Sequence, residues 1–309
     1  MFLHRRARYN RYGLNSLVNW HGTNDNRWYV LEPASVGVST SLPTVRSESV
    51  LSSTLGINMI KSRWIQRIGG GLLERIGIGI ICRINFVLLG GHKDKETVKL
   101  LKQVRRERQS LVTGFEAFIV HSMAKATRKL PGDIAEVGVF QGSTARLICD
   151  VKGDTKFRLF DTFEGLPKSS KEDNDVHREH QYTCSLDSVK GYLEGFSNLS
   201  FHKGYFPASA EEVPDADYSF VHLDVDLYNS TLDSLDYFYS RMVPGGILLS
   251  HDYSMLAGVK QAFTEFFDDK PEEVIELPTT QCMIVKLSPQ SAVRDDPDRN
   301  ENSLAASVL

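Results

Sequence analysis

Cysteine is scarce in this chain and never paired. Cys82, Cys149, Cys184 and Cys282 are the only four in 309 residues, and none forms a Cys-x-x-Cys. That argues against a disulfide frame or a structural zinc site and for a reducing compartment, the cytoplasm. A clean apolar run of the ~18–20 residues a membrane span needs is also missing. The most apolar stretch, residues 68–90, is interrupted by Glu74, Arg75 and Arg83. It reads as a packing helix or an oligomer contact in preference to a helix lying on a membrane surface. The basic N-terminus MFLHRRARYNRYG is followed by no apolar segment, so a secretory signal is not expected. Finally, the chain lacks the G-x-G-x-x-G fingerprint of dinucleotide sites, which argues against a nicotinamide-dependent oxidoreductase.

Charge is present but unevenly spread. The formal net charge is −3, yet residues 1–130 hold 21 Lys+Arg against 8 Asp+Glu, and the remainder holds 15 against 31. We read this as a basic region packing on an acidic domain. Nucleic-acid contact is not expected.

Residues 1–60 are rich in Ser, Asn, Gly and Arg without a period, and read as an irregular, poorly ordered extension. Residues 61–130 form a basic helical region. There Leu100, Leu101, Val104, Leu111, Phe115, Phe118, Ile119 and Met123 recur at steps of three and four. They predict one helix from Lys95 to Lys129, ended by LPGD at 130–133.

From 131 to 287 strands alternate with helices. Strands are predicted over 134–139, 156–160, 199–204, 218–225 and 245–252, and helices over 142–151, 186–196, 230–242 and 256–267. Ser230 and Thr231 suit the cap of the third of these helices. Residues 272–277 and 281–287 predict a closing hairpin, and the polar tail 288–309 is expected to fray. This order predicts an α/β class: a doubly wound, mostly parallel sheet with a C-terminal antiparallel hairpin, preceded by a helical, partly irregular N-terminal region.

In such sheets ligands bind beyond the carboxyl ends of the strands. The first strand runs into EVGVFQGST, where Gly138 and Gly142 allow close backbone approach. The second ends in FDTFEGLP, with Asp161 placed to meet the hydroxyls of a ribose. Glu136, just before the glycines, would oppose a pyrophosphate but favour a cationic ligand. S-adenosylmethionine, with a sulfonium, an ammonium and no phosphate, fits that description. Glycines at any strand–helix turn are the plainer alternative.

The fourth strand ends VHLDVDLY and the fifth LLSHDY. Alternation along a strand predicts that Asp224 and Asp226 enter one cleft, beside His251 and Asp252. So many acidic groups call for a divalent cation, with oxygen ligands suiting Mg²⁺. Helix capping by a single Asp is the competing reading. His222 reads as a core histidine, not a ligand. HREH at 177–180 lies in a charged loop and reads as solvated or substrate-facing, not zinc-binding.

EVGVFQGSTA, FDTFEGLP, KGYFP, LDVDLYNSTLDSLDYFYSRMVPGG and SHDY together resemble the TylF-type, or macrocin O-methyltransferase, family, over about residues 131–287. The resemblance implies a Rossmann-like methyltransferase sheet. It also implies transfer of a methyl group from S-adenosylmethionine to a hydroxyl of a small acceptor, a sugar or secondary metabolite, assisted by Mg²⁺. Carried over, Asp226 is the general base, and Asp224 and Asp252 are metal ligands. Glu136, Gly138, Val139, Gly142, Ser143 and Thr144 form the cofactor site with Asp161, Thr162, Phe163, Glu164 and Gly165. His251 departs from the pattern, standing where antibiotic-tailoring members carry a second Asp. As a third ligand its nitrogen favours softer metals, so Mn²⁺ is the alternative to Mg²⁺. A homo-oligomer is expected. The alternatives are a scaffold protein that has lost turnover and a metal-independent methyltransferase with His251 as base.

Overall fold

The computed structural model describes residues 72–108 and 110–288. The extension expected over 1–60, the start of the basic region and the tail beyond residue 288 lie outside the described residues.

The apolar run at 68–90 yields helix α1, Leu72–Gly90. Cys82 and Leu89 on it are buried, while Ile76, Ile80, Ile84 and Val87 face outward. Among the described residues no helix is long and apolar enough to cross a membrane. The single helix predicted from Lys95 to Lys129 is two helices, α2 (Lys95–Arg108) and α3 (Gly114–Thr127). The apolar period runs through both because each buries a face. Thr113 and Glu116, however, form a reciprocal capping box that starts α3 afresh. α2 packs Val98, Leu101 and Val104 on Leu147, and α3 sends Val120 and Ala124 into the core around Ile134 and Ile148.

The sheet region runs β1 (Asp133–Val137), α4 (Ser143–Val151), β2 (Phe157–Asp161), α5 (Leu186–Tyr192), β3 (Leu199–Lys203), β4 (Tyr218–Leu223), α6 (Tyr228–Tyr239), β5 (Met242–Ser250), α7 (Ala257–Phe267), β6 (Ile275–Glu276) and β7 (Cys282–Val285). The strand order is β3-β2-β1-β4-β5-β7-β6. All pairings are parallel except those of β7 with β5 and β6. Every residue of β4 is buried, as expected of a parallel strand covered on both faces. One face packs Val221, Leu223, Phe238 and Phe263, the other Ile134, Ile148, Leu159 and Phe220.

The order reverses between β1 and β4, so their carboxyl ends form the crevice. Val137 stands opposite Leu223, and Leu223 opposite Ser250. The amides just beyond continue the ladder: Gly138 donates to Phe160 O (2.9 Å), Asp224 to Val137 O (2.9 Å) and His251 to Leu223 O (2.8 Å). Three segments of chemical interest are thereby held side by side.

Boundaries differ from the sequence reading, among them those of β4, α6 and β5. β4 stops at Leu223, two residues early; the Asp224 amide makes one more bond, to Val137 O, before the left-handed residue Asp226. α6 begins at Tyr228, before the Ser230–Thr231 cap predicted for it. Its first amide is satisfied from a distance, by Asp173 Oδ1 at 2.7 Å. β5 begins at Met242 and carries Pro244 and the two following glycines within it.

Candidate active site

A cavity of about 740 Å³ opens at the crevice. Its floor is the turn from β1 to α4. Gly138 has φ +87°, and a Cβ there would stand 1.9 Å from the Asp224 carbonyl oxygen, so only glycine fits. Gly142, in the left-handed region, caps α4 without a side-chain bond, and Ser143 and Thr144 of its first turn line the cavity.

Asp161 ties this turn to β2. Its Oδ2 accepts from the amides of Val139 (2.7 Å) and Phe140 (2.8 Å), and its Oδ1 from Phe163 (2.6 Å). Gly138, Val139, Ser143, Thr144, Asp161, Thr162 and Gly165 line the cavity. Four residues predicted with them do not. Glu136 is fully buried in β1, its Oε1 2.9 Å from Nδ1 of His222 on β4. Burial pushes the Glu136 carboxyl upward, against the pull of His222. The carboxylate expected to meet an ammonium thus lies behind the turn, and His222 is its core partner. Gly142 acts through its backbone, Phe163 packs in the core, and Glu164 turns to Lys203 at 2.8 Å.

The acid cluster forms the adjoining wall. Asp224, Asp226, His251 and Asp252 all line the cavity. Strand alternation does not bring the two aspartates of β4 together, since both lie past its end. A left-handed residue does: Asp226 has φ 61°, and Asp252 has φ 57°. Asp224, His251 and Asp252 can each offer a ligand atom, all within 4.8 Å of one another. His251 Nδ1 is 3.5 Å from Asp224 Oδ1 and 3.0 Å from Asp252 Oδ2.

A fourth carboxylate reaches this wall that sequence reasoning missed. Glu116 Oε2 lies 3.4 Å from His251 Nε2. Its only local signal is the T-x-x-E spacing with Thr113, which reads as a capping box and nothing more. Burial works against the His251 charge, but Asp252, Asp224 and Glu116 outweigh it and hold the imidazole well above its usual range. Burial would raise Glu116, but His251 and Thr113 hold it well below the carboxylate range. Asp226 is pushed well up by burial and then by Asp252 and Asp224. One imidazole faces four carboxyl groups, an excess of acidic groups that a cation would offset.

The residues fit a divalent ion. Both ring nitrogens of His251 are buried and make no hydrogen bond of good geometry, although carboxylates surround them. Once neutral, such a ring has a lone pair to offer a cation.

The remaining walls come from outside the sheet. Ile78 and Ile81 of α1, Leu111 and Val112 before α3, and Leu166, His177 and Tyr182 of the long loop after β2 line the cavity. Of the two loop histidines, His177 faces the cavity and has neither ring nitrogen hydrogen-bonded, while exposed His180 bonds the Glu164 carbonyl at 3.1 Å.

The profile of the macrocin-O-methyltransferase (TylF) family matches residues 119–281, just over half of the chain. The chain is 31% identical over 142 residues to the 8-demethyl-8-(2,3-dimethoxy-alpha-L-rhamnosyl)-tetracenomycin-C 4'-O-methyltransferase of Streptomyces olivaceus, a match covering 41% of this chain and 54% of that one. It is 30% identical over 179 residues to the mycinamicin III 3''-O-methyltransferase of Micromonospora griseorubida, covering 51% and 70%. The chain therefore spans about half the length of the first relative and more of the second. The fold is shared with the O-methyltransferase NovP, with a TM-score of 0.53, 21% identity, and coverage of 58% of this chain and 82% of that one.

Proposed function

The chain belongs to the macrocin-O-methyltransferase (TylF) family, and on that premise we propose that it transfers a methyl group from S-adenosylmethionine to a hydroxyl of a small molecule, assisted by a divalent cation. The observation that carries this reading is the single cavity in which the glycine turn and the acid cluster meet, backbone to backbone, at Gly138 and Asp224. Four free cysteines fit a reducing compartment, the cytoplasm.

Each wall then has a task. The open amides at the start of α4 suit the carboxylate of the methyl donor. Asp161 keeps the turn closed on β2 and has lone pairs left for a ribose diol. When bound, the donor supplies an electrophilic sulfonium methyl and the cation lowers the pKa of the acceptor hydroxyl. Asp226 would accept the proton of the acceptor hydroxyl, leaving the oxygen free to take the donor's methyl group. Its carboxyl is pushed up by its surroundings, which makes it a stronger base than an exposed aspartate. His251 is the weaker candidate for that role, because it faces Asp224 and Asp252 within the cation cluster and Glu116 on its other side.

The acceptor class follows from the walls and the relatives. Ile78, Ile81, Leu111, Phe206 and Met255 offer apolar surface, while His177, held neutral by burial, offers a polar edge. A sugar carried on an apolar aglycone suits both. Isothermal calorimetry against S-adenosylmethionine and NAD, followed by mass spectrometry of glycosides incubated with protein, donor and Mg²⁺ or Mn²⁺, tests the reading. Donor binding and a product heavier by one methyl group are expected. NAD binding without donor binding would overturn it.

A further inference from the structure

Glu116 sits on α3, outside the sheet, yet its carboxylate is 3% exposed and reaches the acid cluster. A capping box alone does not require this, since such a glutamate can lie at the surface. Here both oxygens are committed. Oε1 accepts from the Thr280 hydroxyl at 2.8 Å and lies 3.4 Å from the Thr280 amide, in the turn between β6 and β7. Oε2 accepts from the Thr113 amide at 2.8 Å and faces His251 Nε2 at 3.4 Å. Donors from two separate elements therefore fix the plane of the carboxylate.

An ionised carboxylate can only accept hydrogen bonds. Were a cation to take the lone pair of one ring nitrogen of His251, the other would carry the hydrogen, and Glu116 stands where Nε2 would direct it. Nδ1 is the atom that faces Asp224 Oδ1 and Asp252 Oδ2. A carboxylate behind a histidine that selects its tautomer and strengthens its donor atom is a recurring support for metal-bound imidazole.

We propose that Glu116 is a positioning residue that presents His251 Nδ1, with one oxygen each from Asp224 and Asp252, to a first-row transition dication such as Mn²⁺ or Co²⁺ in preference to Mg²⁺. The proposal rests on the divalent-cation part of the function above. Its physical basis is that Mg²⁺ favours oxygen and gives up water reluctantly, while imidazole suits the transition ions.

The test uses the full chain without methyl donor. Calorimetry with MnCl₂, CoCl₂ and MgCl₂ is expected to give at least about ten-fold tighter binding of Mn²⁺ and Co²⁺ than of Mg²⁺. Glu116→Gln should weaken Mn²⁺ binding about 10–100-fold. His251→Asp, an all-oxygen site, should narrow or invert the preference. Pulsed electron paramagnetic resonance of the Mn²⁺-loaded protein should show nitrogen modulation that vanishes in His251→Asp. Equal Mg²⁺ and Mn²⁺ affinity, no dication binding, or no nitrogen modulation in the unmutated chain would each overturn the proposal. A folded Glu116→Gln with unchanged affinity would return Glu116 to a capping role and overturn it equally. If Glu116→Gln does not fold, the nitrogen signal and the His251→Asp preference still decide. Calorimetry with S-adenosylmethionine on the same samples separates the two readings: donor binding without a metal–nitrogen signal removes this proposal and leaves methyl transfer standing.

Discussion

The backbone of Gly138 rests against the backbone of Asp224, close enough that a Cβ on the first would overlap the carbonyl oxygen of the second at 1.9 Å. The donor-side turn and the acid cluster are therefore one mechanical unit, and a change in either moves the other.

Gly138→Ala is the direct probe of that contact. It forces a side chain into φ +87° and into backbone. The left-handed conformation costs about 1–2 kcal/mol, and overpacking about 1–3 kcal/mol more. Urea unfolding should show this loss, and calorimetry should show weaker binding of both donor and cation. Loss of donor binding alone would mean that the two walls are independent.

Asp161→Ala removes the acceptor of three backbone amides, those of Val139, Phe140 and Phe163. Donor affinity should fall by roughly 1–3 kcal/mol, the cost of leaving such donors unpaired. Asp161→Asn, which keeps one acceptor oxygen, should fall between. Unchanged donor affinity in folded Asp161→Ala would take this residue out of the site.

Asp226→Asn separates proton transfer from binding. An amide cannot take the acceptor's proton, so turnover should drop about 10²–10⁴-fold. Donor and cation affinities should stay within a few-fold of the unmutated protein. If turnover persists, another group holds the proton, and the pH–rate profile of the variant would identify it.

Cation affinity should rise with pH. His251 binds a metal only when neutral, and its neighbours hold its pKa above the ordinary value of about 6.5. Asp224 is likewise pushed upward by burial, so protons compete with the metal at low pH and are released on binding. The same sign governs stability without metal. A histidine with a raised folded pKa contributes fully below its unfolded pKa, and that contribution is lost as pH rises through the folded value. Thermal melts from pH 6 to 9 should show this loss without cation and little of it with Mn²⁺. A flat affinity profile over that range would argue against His251 as a ligand.

The sheet was largely legible because its signals are local. A buried parallel strand must be apolar over a few residues, as in YSFVHL, and a turn with positive φ must be glycine, as at Gly138. The start of α6 was misread for the opposite reason. Ser230 and Thr231 have capping chemistry, but Asp173, 55 residues earlier, satisfies the first amide of the helix and lets it begin at Tyr228. Likewise Glu136 looked like a ligand until β4 placed His222 beside it.

The amino-acid sequence by itself determined the α/β alternation, the family resemblance and the identity of all but one of the acidic residues named at the cavity, because periodicity, glycine turns and short motifs are written within a few positions. Only the tertiary structure decided which of those residues share a wall. It turned Glu136 inward, turned Asp226 through a left-handed step, and brought Glu116 to His251 across 135 positions of chain. No local pattern encodes that last meeting. It follows from α3 packing on the sheet and from β5 lying next to β4, which are consequences of burying apolar faces far apart in the chain.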